Sequence, residues 1–144
     1  MSRAKQIHGT PDDIEAAYYD ALGRADINAL MMLWADDEEI VCIHPSAPRL
    51  IGHNAIRASW EAIFAHGGLL IQPQRLHTTH NVMCAVHNLV ENVHREHHAP
   101  IDVHVLATNV YLKTALGWRM AIHHASVAEG SAPTEQIGPS SVLH

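Results

Sequence analysis

Apolar residues in the first part of the chain recur at helical spacing. The string Thr10-Pro11-Asp12-Asp13 supplies a helix N-cap, a proline at the first helical position and two acids in the first turn. Apolar positions then recur every three or four residues, and this pattern predicts an amphipathic helix over Pro11–Arg24. Asp26 can cap a second, shorter helix that carries Trp34 on its core side.

A short strand and a third helix follow. Residues 40–44 form a compact, β-branched run that stops at Pro45, which is typical of a short buried strand. Helical spacing returns over residues 52–66, where Trp60 lies on the core side, and Gly67-Gly68 ends this helix. The first half of the chain is therefore predicted to hold three helices and one strand.

The remainder of the chain has the composition of β-strands. Four segments are rich in Val, Ile, Thr and aromatic residues: 69–79, 82–94, 101–114 and 118–127. The breaks at 96–100 and 115–117 are short enough for hairpins, so neighbouring strands should be antiparallel. Helices followed by strands predict an α+β fold, in which three helices cover the concave face of a curved antiparallel sheet.

Length and charge narrow the class of protein. A chain of 144 residues with 47% hydrophobic and 17% charged residues fits one globular domain. We expect a leader over residues 1–10, the domain over 11–128 and a flexible C-terminal tail over 129–144, which is rich in Ser, Pro and Gly. The net charge of −6 disfavours nucleic-acid binding, because phosphate attracts positive charge.

The apolar pattern also bears on the compartment. No run of about 20 apolar residues is present to cross a membrane, and no apolar segment follows the first basic residues, so we expect the protein in the cytoplasm. In that compartment Cys42 and Cys84 are expected to be buried thiols rather than a disulfide.

Histidine is unusually frequent. Protonation of all 14 residues would add fourteen positive charges and move the formal charge from −6 to +8. Histidines buried as neutral groups would weaken the fold as the pH falls through about 6.5. The chain should therefore respond strongly to pH.

Three histidine groups look rich in metal ligands: His77 with His80, His94 with His97 and His98, and His123 with His124. Neighbouring residues on a strand point to opposite faces, so His123 and His124 cannot easily share an ion. The cysteines lack C-x-x-C spacing, and neither a Ser-His-Asp signature nor a Gly-rich phosphate loop is present. We therefore predict no specific metal site and no cofactor.

Several strings resemble the SnoaL-like branch of the nuclear transport factor 2-like superfamily: Trp34-Ala35, Val41-Cys42-Ile43-His44-Pro45, Arg49-Leu50-Ile51-Gly52 and Ser59-Trp60. The string GWRMAIHHAS at residues 117–126 is similar to the last strand of that branch, and to that of the association domain of calcium/calmodulin-dependent kinase II. The resemblance covers roughly residues 12–127. It implies a cone-shaped α+β fold with a ligand cavity, and an oligomeric relative.

The resemblance leaves the chemistry open, since the superfamily includes isomerases, dehydratases and polyketide cyclases. Such enzymes imply a pocket aspartate beside a tyrosine, or tyrosines with a His/Asp pair. The tyrosines are Tyr18, Tyr19 and Tyr111, and Asp102 is the aspartate within a predicted long strand. No motif fixes an acid and a base at a known separation, so enzyme status stays undecided.

Candidate pocket residues come from the helices, the short strand and the last hairpin. His44 ends the strand at the predicted mouth of the cone, where a hydrogen-bonded structural histidine is the competing interpretation. The aromatic residues of the helices can line a pocket or fill the core. The candidates are Tyr18, Trp34, His44, Trp60, Asn109 and His123.

The last two candidates depend on which way the strands face. Alternation separates the set Asn109, Tyr111, Arg119 and His123 from the more apolar set Thr108, Val110, Met120, Ile122 and His124. One set should face the helices, and the other should form the outer face of the sheet. The sequence leaves open which set faces inward, and Asn109 and His123 are pocket candidates on the alternative in which the first set does.

Two functions remain. The first is a small-molecule-binding domain that holds an apolar carbonyl or ring compound in the cone, with or without acid/base chemistry. The alternative is a non-catalytic association module, similar to the kinase association domain. In either case an open sheet with two largely apolar faces predicts a homodimer through the outer face.

Overall fold

The computed structural model describes residues 9–94 and 103–129, together with Gln136 and Gly138. Its helices are α1 (Pro11–Arg24), α2 (Ile27–Met32) and α3 (His53–Phe64). Its strands are β1 (Val41–Ile43), β2 (Leu50–Ile51), β3 (Leu70–His80), β4 (Cys84–His94), β5 (Val103–Thr114) and β6 (Gly117–Glu129). Most of the predicted leader, the turn at 96–100, Asp102 and most of the predicted tail lie outside the described residues.

The fold is α+β, as predicted, with one curved and unclosed six-stranded sheet. Its strand order is β2-β1-β6-β5-β4-β3, and β3 to β6 pair in antiparallel succession. The four long strands are antiparallel neighbours, as predicted, while the short strand β1, whose partner was not predicted, pairs with β6 in parallel and sets Cys42 opposite His123. A parallel neighbour is feasible here because the chain passes through α3 and four further strands between β1 and β6.

Helix α1 has the predicted bounds, because local signals fix both of its ends. The Thr10 hydroxyl accepts a hydrogen bond from the Asp13 backbone N–H, and the Asp13 carboxylate accepts one from the Thr10 backbone N–H, which forms a capping box. At the other end Ala25 adopts the left-handed conformation and its backbone N–H bonds to the last turn.

Helix α2 ends earlier than predicted. The backbone of Leu33 accepts a 2.8 Å hydrogen bond from the Met120 N–H, and the Met120 carbonyl accepts one of 2.8 Å from Ala35. Trp34 therefore extends the sheet beside β6 instead of continuing the helix. Helical periodicity does not reveal that residues 33–35 form hydrogen bonds with a strand that lies far along the chain.

A β-bulge corrects the predicted alternation on the last two strands. The register shifts between Val110 and Tyr111, so that Tyr111 pairs with Met120 and Leu112 pairs with Arg119. Met120 therefore shares the inner face with Tyr111, and Arg119 lies on the outer face with Leu112. Both assignments were wrong, because one extra residue exchanges the two faces.

The end of α1 and the start of β3 approach so closely that two glycines touch. A Cβ on Gly68 would lie 2.2 Å from the carbonyl oxygen of Gly23, whereas a Cβ on Gly23 would meet only the Leu70 side chain at 3.5 Å and a backbone oxygen at 3.9 Å. The Leu69 N–H also bonds to the Leu22 carbonyl at 2.9 Å. The close approach of α1 to the start of β3, which we call the α1–β3 crossing, thus requires glycine at position 68 but not at position 23.

This difference predicts opposite outcomes for two equivalent substitutions. Gly68→Ala should lower the free energy of unfolding by about 1–3 kcal/mol, because backbone must move to admit the methyl group. Gly23→Ala should leave the melting temperature unchanged or raise it, since alanine favours a helix. Thermal melts of both variants by circular dichroism test the pair, and equal effects would contradict the described crossing.

Candidate functional site

The structure brings the six predicted pocket residues together beneath α1. Tyr18, Trp34, Trp60, Asn109 and His123 are all at most 3% exposed, and His44 is half-buried. The Tyr18 ring centroid lies 6.5 Å from Trp34, 6.3 Å from Trp60 and 5.4 Å from His123. Their convergence from α1, α3 and the sheet is an observation, while ligand binding by them stays a prediction.

His44 lies at the edge of this group and is hydrogen-bonded. Its Nε2 atom is 2.8 Å from Ser59 Oγ and 3.9 Å from Cys42 Sγ. Its ring meets Trp60 edge-on at 4.7 Å, and partial burial lowers its pKa. Hence it is a neutral group between the α3 helix and β1.

A hydrogen-bonded chain links four buried side chains behind the aromatic rings. His123 Nδ1 donates to Asn109 Oδ1 at 2.6 Å, and Asn109 Nδ2 donates to the Tyr19 hydroxyl at 3.0 Å. The Tyr19 hydroxyl donates in turn to Glu91 Oε2 at 2.7 Å. We call these four residues, together with Tyr18, Trp34, His44 and Trp60, the inner cluster.

Glu91 is the group of the inner cluster that titrates near neutrality. Burial raises its pKa to about 7; the hydrogen bond from Tyr19 lowers it and the charge of Glu15 raises it further. Below pH 7 this carboxyl is largely protonated, so it is both a proton donor and, once ionised, a base.

Burial also keeps His123 neutral. It lowers the pKa of His123 to about 3, with smaller contributions from His44 and His124. His123 Nε2 lies 4.0 Å from Glu91 Oε2, but a carboxyl that is itself protonated below pH 7 offers little stabilisation to an imidazolium.

A second buried carboxylate, Glu15, has the opposite environment. It accepts hydrogen bonds from His87 Nδ1 at 2.7 Å, from the Tyr111 hydroxyl at 2.7 Å and from Arg75 at 2.9 Å. Burial alone would raise its pKa, but the hydrogen bonds from His87 and Tyr111 prevail and lower it. Glu15 is therefore a stably ionised group.

Sequence reasoning missed the two glutamates, Tyr19 as a site residue, and His87. A usable signal was present in β4, where His87 and Glu91 alternate with apolar Leu89 on the face that pairs with Asn109. The antiparallel hairpins place that face beside His123.

Two buried polar groups of the inner cluster, Tyr18 Oη and Trp34 Nε1, lack a hydrogen-bond partner among the described residues, and Trp60 Nε1 has only the Cys42 thiol, a weak acceptor. Buried polar groups normally find partners. Burial raises the pKa of the Cys42 thiol to about 12, and the hydrogen bond from the Trp60 side chain lowers it. Each of the three groups can donate a hydrogen bond to an oxygen acceptor.

Two open pockets border the inner cluster. The first, of about 500 Å³, lies beside Trp34 between α2 and the β5–β6 turn, and includes Met31, Leu112 and Arg119. The second, of about 410 Å³, lies between α1 and β3 and has Tyr19 on its wall. The cavity predicted between His44, Trp60 and the sheet stays a prediction.

Two further findings concern ions and membranes. Across residues 9–94 and 103–129, no three His, Cys, Asp or Glu side chains are grouped to hold a metal ion, while His97 and His98 lie outside the described residues. None of the described helices has the length and apolarity to cross a membrane.

Comparison with known proteins identifies the family. The model of the SnoaL-like domain matches residues 12–129. The chain therefore belongs to the SnoaL-like family of the nuclear transport factor 2-like superfamily, which confirms the resemblance noted in its sequence. No curated protein matches the chain.

Solved structures include similar chains with different descriptions. One is a protein of Thiobacillus denitrificans ATCC 25259, provisionally described as a calcium/calmodulin-dependent protein kinase type II association domain. Its sequence is 34% identical and its structure superposes with a TM-score of 0.78; the match covers 85% of this chain and 98% of that chain. A provisional dehydratase of the NTF2-like family from Streptomyces avermitilis is 28% identical with a TM-score of 0.72, over 84% and 100%. These descriptions diverge, so function must be argued from the site.

The opposed titrations of Glu91 and His123 predict a pH signature. The folded-state pKa of Glu91 lies above its ordinary 4.5, so its contribution to stability is lost as the pH rises through 7. The folded-state pKa of His123 lies below its ordinary 6.5, so stability is lost as the pH falls below 6.5. Between pH 4.5 and 6.5 the two effects oppose each other.

Glu91→Gln should remove the titration of Glu91 and leave that of His123. The variant should lose stability on acidification from pH 6.5 to 4.5, with a slope steeper than that of the native chain by on the order of 1 kcal/mol per pH unit. At pH 8 it should be the more stable protein. Urea unfolding across pH measures both, with exposed Glu39→Gln as the control, and parallel curves for Glu91→Gln and the native chain would refute the burial of an ionisable Glu91.

Proposed function

We propose that the protein binds a small apolar carbonyl or ring compound at the inner cluster. The observation that carries this proposal is the pair of unpartnered donors on Tyr18 and Trp34, beside a Trp60 N–H that has only a weak thiol acceptor. A ligand oxygen would satisfy donors that otherwise remain buried without partners, and the surrounding aromatic rings suit an apolar body. The SnoaL-like fold, which often binds small molecules, supports the same class of function.

Glu91 adds acid/base chemistry to this proposal. With a pKa of about 7, its ionised form can take a proton from the carbon next to a bound carbonyl. The electron pair of that C–H bond then moves into an enolate, whose oxygen is stabilised by the unpartnered donors. Return of the proton from Glu91 to another carbon would complete an isomerisation.

The Tyr18 hydroxyl gives the sharpest test of binding. Tyr18→Phe removes a donor that has no partner among the described residues, so the melting temperature should not fall. Binding of prodan, a naphthalene ketone whose emission shifts to the blue outside water, should weaken about tenfold. The hydrocarbon analogue without the carbonyl should bind both proteins equally.

Tyr111→Phe is the matched control. It removes a hydroxyl that donates to Glu15 at 2.7 Å, so it should lower the free energy of unfolding by about 1–3 kcal/mol. A comparable loss of stability in Tyr18→Phe, or unchanged prodan affinity, would count against a ligand oxygen at the inner cluster.

The alternative function is a dimeric association module, and the outer face of the sheet favours it. Val41, Ile122, Val110 and Val86 pair in one continuous row across four strands, and all are half-buried. Leu106 and Leu112 add exposed apolar surface on the same face. The similar Thiobacillus denitrificans protein, provisionally described as an association domain, supports self-association.

We propose that this outer face forms a homodimer, burying at least about 1,000 Å² in total. Sedimentation equilibrium should give twice the 15.9 kDa mass of the chain at micromolar concentration. Leu106→Asp should yield monomers, whereas Val82→Asp, which changes a more exposed apolar residue in the β3–β4 turn, should not. A native monomer would exclude the dimer and weaken the association function.

A further inference from the structure

The groove between α1 and β3 has an apolar wall that is open to solvent. We call it the α1–β3 groove; its apolar wall consists of Tyr19, Gly23, Leu70, Ile71 and Pro73. Leu70 is 46% exposed although it is a large apolar side chain. Its volume of about 410 Å³ is within the range of small-molecule sites.

The strand register joins this groove to the inner cluster. Pro73 pairs with Glu91, and Ile71 pairs with Val93, so the wall of the groove and the buried carboxyl lie side by side on one face of the sheet. Tyr19 belongs to both regions, since its ring borders the groove and its hydroxyl donates to Glu91 at 2.7 Å.

The rim of the groove differs from its wall. Asp20 and Arg24 form an ion pair of 2.8 Å there, and Arg24 also contacts Asp26 at 2.9 Å. Arg24 thus already has two carboxylate partners, and Gln72 and His94 complete the polar part of the lining. An uncharged apolar chain suits its wall better than an anion does.

We infer that the α1–β3 groove is the subsite for an apolar tail of the ligand, whose oxygen-bearing end is held at the inner cluster. The ligand class is then a ketone or ring compound that carries an alkyl or aryl extension. This inference rests on the proposed function for the oxygen end, but the tail subsite can be tested separately.

Gly23 allows the groove to be filled without disturbing the fold. A Cβ there would contact Leu70 at an ordinary 3.5 Å, and the position lies within α1, where larger residues are tolerated. Gly23→Ala and Gly23→Leu therefore form a graded series of obstruction. Ala16→Leu, on an exposed position of the same helix, is the matched control.

The experiment measures fluorescence binding of prodan homologues whose acyl group lengthens from acetyl to hexanoyl, with the full chain. The native protein should gain up to about fourfold in affinity for each added methylene. Gly23→Leu should abolish this gain and Gly23→Ala should reduce it, while both bind the acetyl homologue normally. Ala16→Leu should behave as the native chain.

The outcomes separate the tail subsite from the oxygen site. If Tyr18→Phe weakens binding but Gly23→Leu keeps the full gain with chain length, the tail subsite is overturned and the proposed function stands. If Gly23→Leu abolishes the gain and Tyr18→Phe has no effect, the groove binds tails and the oxygen site is wrong. No binding by any homologue would overturn both, provided that melting curves show a folded protein.

Discussion

The ionised carboxylate of Glu15 is the interaction on which the site depends. A buried charge is costly unless several donors surround it. Glu15 obtains its donors from three different strands, namely Arg75 on β3, His87 on β4 and Tyr111 on β5. Because all three must be in place together, they fix the position of α1 across the sheet.

Helical geometry then carries this constraint to the inner cluster. Residues three and four positions apart share one face of a helix, so anchoring Glu15 also directs Tyr18 and Tyr19 toward the sheet. Tyr19 reaches Glu91 and Tyr18 reaches the ring of His123. One helix therefore carries the structural carboxylate Glu15 and the two tyrosines that reach the inner cluster.

The contrast between the two glutamates arises from their partners. Glu15 accepts hydrogen bonds from three donors, whereas Glu91 accepts one from Tyr19 and is also repelled by the negative charge of Glu15.

Features that depend on residues close together in the sequence were predicted, and features that depend on residues far apart in the sequence were not. The bounds of α1 were predicted correctly because capping is local, and the long strands were recognised from composition and turns. The parallel β1–β6 pairing, the two-residue β2 and the bulge before Tyr111 depend on distant partners, so no local pattern revealed them. The six candidate residues converge because the apolar faces of the helices and the alternation along the strands, both readable in sequence, direct them to one interior. Glu91 escaped notice because a lone glutamate in a strand is usually solvated, and its burial depends on where α1 lies.

The parallel pairing of β1 with β6 has a consequence for how the chain folds. The helices and β1 are synthesised first, but their partners come late, since Tyr19 bonds to Asn109 across 90 residues and Glu15 to Tyr111 across 96. The entropy of closing such long loops is lost before the contacts form and stabilise the fold, and this slows folding. The N-terminal half thus leaves the ribosome with its apolar faces uncovered, and its nascent helices must avoid misassociation until the last hairpin is made.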